Sequence, residues 1–138
     1  MFLLDTDVLS ALRRRERHPK IVDWLDRRPT TDVYLSVVTI GEVERGIIQQ
    51  ERRNPPFAND LSLWRDTVLA SYGDRILDVD LPIARRWGRL TAELGHHSDD
   101  LIIAATALHH GLTVVTRNVK HFEPTGVRTF DPFSEGDA

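Results

Sequence analysis

Carboxylates recur in this 138-residue sequence where a short apolar run gives way to a helical pattern. Asp5 and Asp7 follow Phe2-Leu3-Leu4. Glu42 falls in the first turns of the helix predicted after Val33-Tyr34-Leu35. Asp99 and Asp100 open the helix predicted before Leu112–Val115, and Thr116, Arg117 and Asn118 follow that strand. Each has a structural explanation when taken alone. Asp5 can cap a helix. Thr39-Ile40-Gly41-Glu42 has the spacing of a capping box. Asp99 and Asp100 suit the positive end of a helix dipole, and Asn118 is an ordinary turn residue. Taken together they suggest more. Acidic groups drawn from distant segments to one edge repel, which raises their pKa values unless a cation sits among them. Magnesium prefers oxygen ligands, keeps several waters, and is held by one or two carboxylates plus substrate phosphates. Such an ion lowers the pKa of a bound water and offsets charge on a phosphodiester.

Other chemistries lack their apparatus. There is no cysteine, and the six histidines come mostly as the adjacent pairs His96-His97 and His109-His110. No pair has the spacing of a helical zinc motif. Glycine-rich phosphate loops and a nucleophile elbow are also missing. The net charge of -3 argues against a broad basic surface for nucleic acid. Local arginine clusters remain, at Arg13, Arg14, Arg15 and Arg17 and at Arg85, Arg86 and Arg89, although each also reads as a solvated helix face. No apolar run is long enough to cross a membrane, and the N-terminus lacks the basic start of a signal peptide. A cysteine-free chain suits a reducing cytoplasm.

The elements that must place these residues follow from periodicity. Strands are predicted at Phe2–Leu4, Val33–Leu35, Arg75–Val79, Leu112–Val115 and Val127–Thr129. Helices are predicted from Thr6 to about Arg15, Pro19 to Arg27, about Thr39 to Gln50, Leu61 to about Tyr72, after Asp80, and Ser98 to His110 with Gly111 as the C-terminal cap. Asn54-Pro55-Pro56 reads as a break. Short apolar strands alternating with helices imply a mainly parallel sheet covered on both faces. One α/β domain over residues 1–133 is expected, with a short acidic tail at 134–138. A crossover helix begins where its preceding strand stops, so all the polar groups above should share one edge of the sheet.

The residues FLLDTDVLSALRR, YLSVVTIGEVERGI, RILDVD, DDLIIAATALHHGLTVVTRNVKHFE and FDPF, in that order, resemble PIN-domain proteins of the VapC-type toxin group. The resemblance covers nearly the whole chain. It implies a five-stranded sheet of order 3-2-1-4-5 and a magnesium-dependent endoribonuclease, with manganese as a possible substitute. The enzyme would be held by a cognate VapB-type antitoxin, usually as a homodimer. It also implies catalytic positions at Asp5, Glu42, Asp100 and Asn118. Asp5 and Asp100 would hold the metal directly or through water, and Glu42 would orient or deprotonate a water. Similar proteins often carry Asp at the Asn118 position, so a second ion is in doubt here; Asp99 is an extra acid that would compensate. Asp99 and Thr116 are secondary candidates, and Arg13, Arg14 and Arg117 are candidate contacts to the RNA backbone.

Two further classes are weighed. A PIN-like module without catalysis would bind RNA or protein and fail a metal titration. A receiver-like signalling domain would use Asp78 or Asp80 with Lys120 and accept phosphate from a small donor. A DNA-cutting variant of the same chemistry would keep the same acids. The RNA target is not written in the fold.

Overall fold

The computed structural model describes residues 1–134; residues 135–138, most of the expected acidic tail, lie outside the described residues. Five strands form one parallel sheet: β1 (Phe2–Leu4), β2 (Val33–Ser36), β3 (Ile76–Leu77), β4 (Thr113–Val115) and β5 (Thr129–Phe130), in the order β3-β2-β1-β4-β5. The order and the parallel pairing match the expectation. Among the described residues seven α-helices surround the sheet: α1 (Thr6–Leu12), α2 (Pro19–Asp26), α3 (Val37–Arg53), α4 (Pro55–Tyr72), α5 (Leu81–Leu94), α6 (Asp99–His110) and α7 (Val119–Phe122). No helix among the described residues is long and apolar enough to cross a membrane.

Successive side chains of a strand point to opposite faces. Leu3 and Val114 therefore join one core with Ile83, Leu90, Leu101, Ile103 and Phe122 of α5, α6 and α7. Leu4 and Val115 join a second core with Val8, Leu9, Ile21, Trp24 and Val68 of α1, α2 and α4. Two buried faces leave only the strand ends for polar chemistry.

Several boundaries differ from the sequence reading, each for a local reason. Helix α1 stops at Leu12 rather than near Arg15, and a short 3-10 turn follows at Arg15–Arg17. His18 must leave helical geometry before Pro19, and it has φ -134° and ψ 62°. The expected break at Asn54-Pro55-Pro56 falls on Asn54 alone (φ -150°, ψ 81°), which ends α3 and accepts a hydrogen bond from the Phe57 N–H at 3.2 Å, while Pro55 and Pro56 form the first turn of α4. Helix α3 is capped by Ser36, which accepts from the Val38 N–H at 3.1 Å. Thr39 is thus inside the helix, and the capping-box reading of Thr39 and Glu42 does not hold. Strand β3 is limited to Ile76–Leu77: Arg75 closes a 3-10 turn before it, and Asp78 and Val79 lead out of it to Asp80, the cap of α5. Strand β5 starts at Thr129, since a 3-10 turn and Gly126 (φ 79°) occupy the preceding chain. Asp80 caps α5 as expected, accepting from the Ile83 N–H at 3.1 Å.

Candidate active site

The central strand β1 is where the chain switches direction across the sheet, with β2 on one side and β4 on the other. Crevices of this kind, beyond the strand ends, are where parallel sheets place their ligands. The register Leu4↔Val115 continues one step past both strands. The Asp5 N–H bonds the Val115 carbonyl at 2.9 Å, and the Thr116 N–H bonds the Phe130 carbonyl at 2.9 Å. Asp5 and Thr116 are therefore neighbours, and the Thr116 hydroxyl donates to Asp5 Oδ2 at 2.8 Å. Asp5 Oδ1 accepts from the Thr6 N–H at 2.8 Å. Asp5 is both the cap of α1 and a carboxylate at the heart of the site, only 5% exposed.

Glu42 approaches from the second turn of α3. It accepts from the Thr6 hydroxyl at 2.6 Å, and that hydroxyl also contacts the buried Thr39 hydroxyl at 3.0 Å. Thr6 thus ties Asp5 to Glu42, through its backbone on one side and its side chain on the other. Asp100 sits half-buried in the first turn of α6 and meets His121 Nδ1 at 3.2 Å.

The electrostatics follow from this crowding. Burial first, then the charge of Asp7, and then that of Asp100 push the Asp5 carboxyl up to about 7, against the bonds from Thr116 and Thr6 that favour its ionised form. Asp7 is also pushed up, chiefly by burial, with Arg117 opposing. Glu42 is raised by burial and by Asp99 and Asp100, with its Thr6 bond opposing.

The structure brings Asp5, Glu42 and Asp100 into one electrostatic neighbourhood and sets Thr116 beneath Asp5. Asp99 is exposed and acts on Glu42. Asn118 donates from Nδ2 to Asp7 Oδ2 at 3.3 Å, and its N–H bonds the Thr116 hydroxyl at 2.9 Å. The carboxylate standing beside Asn118 is therefore Asp7, not Asp99. The arginine candidates fare differently. Arg13 is the C-terminal cap of α1, roughly 12 Å along the helix axis from Asp5, and its guanidinium lies over Phe57, 5.0 Å from the ring centre. Arg14 follows it. Arg117 lies 3.7 Å from the Phe133 ring centre while remaining close enough to act on Asp7.

Sequence reasoning noted Asp7 at the edge but left it, Thr6 and His121 out of the site. Asp7 carried a signal, two residues past Asp5 in the same turn. Thr6 and His121 carried none, because their partners lie 36 and 21 residues away. Asp78 and Asp80 follow edge strand β3, with β2 and β1 between them and β4, which precedes Lys120. No receiver-like triad forms.

Among the described residues, no three acidic or imidazole groups stand close enough to enclose an ion by themselves. The donors present fit a cation that keeps much of its water. Asp7 Oδ1 is buried without a hydrogen-bond partner, and Arg117 acting on Asp7 and Arg45 acting on Glu42 do not offset burial, since all three acids stay raised. Hard oxygen donors with vacant lone pairs suit magnesium or manganese.

Residues 2–125 match the PIN domain family, and the chain belongs to that family. It is similar to the VapC ribonuclease Y4jK of Sinorhizobium fredii, with 31% identity across 96% of this chain and 98% of that protein. It is also similar to the crystal structure of FitAcB from Neisseria gonorrhoeae, with 34% identity, a TM-score of 0.84, and coverage of 96% of this chain and 98% of that one. A toxin–antitoxin complex from Klebsiella pneumoniae shares the fold at 25% identity and a TM-score of 0.71, covering 97% and 99%.

Proposed function

We propose that this chain is the toxin of a type II toxin–antitoxin pair, a magnesium-dependent endoribonuclease neutralised by a VapB-type antitoxin. The observation that carries the reading is the buried Asp5 carboxyl, lifted to about 7 by burial and by Asp7 and Asp100 at the β1/β4 switch. Acids whose burial and mutual repulsion outweigh the nearby Arg117 and Arg45 are costly to ionise, and a cation lowers that cost. The similarity to a protein named a ribonuclease and to a toxin–antitoxin complex supports the choice of substrate and partner.

Asp5 and Asp100 would hold magnesium, which when bound acidifies a water and offsets phosphodiester charge. The chain's own residues do the remaining work. Thr116 and the Thr6 N–H fix the Asp5 carboxylate in one orientation. Glu42, raised by burial and aligned by Thr6, is suited to take a proton from the attacking water. Asn118 and Arg117 hold Asp7 in place at the rim. The protein would act in the cytoplasm, as a homodimer.

The test is cleavage of total RNA by the purified chain, with magnesium and with chelator. Asp5→Asn and Asp100→Asn should each lower cleavage by about a thousandfold or more while the protein remains folded by circular dichroism. Wild-type rates from either variant, or undiminished cutting in chelator, would end the metal-dependent reading.

A further inference from the structure

A cavity of about 390 Å3 opens beside Asp100, lined by His96, Ser98, Asp100, Lys120, His121 and Pro124. Asp100 and its partner His121 are the walls it shares with the candidate active site. The other polar walls are donors. Ser98 stands at the N-cap position of α6, yet its hydroxyl makes no capping bond. Its N–H reaches His96 Nδ1 at 3.4 Å, which makes that nitrogen an acceptor and leaves the ring proton on Nε2. Lys120 is exposed and contributes an ammonium. His121 turns Nδ1 onto Asp100 Oδ2 at 3.2 Å, so the single carboxylate of the cavity already has a partner.

We propose that this cavity is a subsite for an RNA phosphodiester next to the one being cut, held by Lys120, His96 and Ser98. The proposal rests on the ribonuclease reading above. Three donor-bearing side chains and one engaged acid lining a single cavity select an oxygen-rich anion. No Phe, Tyr or Trp lines the cavity; its rings are the imidazoles of His96 and His121, and each turns a ring nitrogen to a polar partner, the Ser98 N–H and Asp100. It grips the backbone and does not read sequence. Such a grip has a physical purpose here. The site proper concentrates Asp5, Asp7, Glu42, Asp99 and Asp100 in a chain of net charge -3, which repels RNA at long range. A donor pocket sharing a wall with Asp100 anchors the strand while the scissile phosphate faces those acids.

The experiment uses the full chain with magnesium and a short oligoribonucleotide spanning a bond cut in total RNA. Lys120→Ala and His96→Ala should each raise KM about tenfold with kcat retained, equally for oligonucleotides of different flanking sequence. Replacing one flanking phosphate by an uncharged methylphosphonate should raise the wild-type KM similarly, at one position only, and should add nothing further in the Lys120→Ala variant. Wild-type KM values in both variants, or losses from the two changes that multiply, would overturn the subsite while leaving the nuclease intact. Absence of any RNA cleavage by the wild type would remove both readings together.

Discussion

Asp5 carries two tasks that pull against each other. It caps α1 and accepts from Thr116, which favours a fixed carboxylate, and it lies buried beside Asp7 and Asp100, which disfavours its charge. Replacing it by Asn keeps an acceptor for the Thr6 N–H and removes the repulsion. Asp5→Asn should therefore stabilise the metal-free protein at neutral pH by on the order of 2 kcal/mol, read from urea unfolding in chelator. A variant less stable than wild type would mean that hydrogen bonds to the carboxylate outweigh the crowding. Asn118 offers the opposite change. Its amide donates to Asp7 Oδ2, so Asn118→Asp exchanges an attraction for a repulsion. That variant should melt lower without metal and bind magnesium roughly three- to tenfold more tightly by calorimetry. Unchanged affinity would make the position peripheral.

Helix starts set how these side chains meet. Ser36 ends β2 and caps α3, which places Glu42 in the second turn and points it at Thr6 instead of back along its own helix. Ser36→Ala should cost about 1 kcal/mol in denaturant unfolding; because Glu42 sits one turn beyond that cap, cleavage should fall as well. A loss of stability with unchanged cleavage would show that Glu42 is placed by its Thr6 contact alone. At the other end of α6, Gly111 adopts φ 68°, and the Leu112 N–H closes onto the Ala107 carbonyl at 2.9 Å. This left-handed turn drops the chain directly into β4, the strand that delivers Thr116.

At the scale of the whole molecule, the crowded acids make stability depend on pH. Asp5 takes up its proton near 7 in the folded, metal-free chain and near 3.8 as an ordinary carboxyl. Between those values the folded state holds more protons, so stability falls as pH rises through the window. Asp7 and Glu42, both raised, act in the same direction. A cation at the site cancels the penalty only where the acids are ionised. Magnesium should therefore raise the melting temperature more at about pH 8 than at about pH 5. Equal shifts at both would place the ion away from these acids.

Much of this was legible in the sequence. Apolar runs of strand length, helical stripes between them and a carboxylate just past the first strand determine a parallel α/β sheet and the edge where its polar residues gather, because local periodicity encodes which face is buried. Asp5, Glu42 and Asp100 were placed by that argument together with the family likeness. The capping-box spacing of Thr39 and Glu42 misled, since Ser36, the last residue of β2, caps α3 three residues earlier. What only the tertiary structure decided were contacts across the fold: Thr6 holding Glu42, Asp7 standing beside Asn118, His121 turned onto Asp100, and Arg13 and Arg117 stacked on Phe57 and Phe133. Those depend on how packed elements lie against one another, and no spacing along the chain records a distance measured through space.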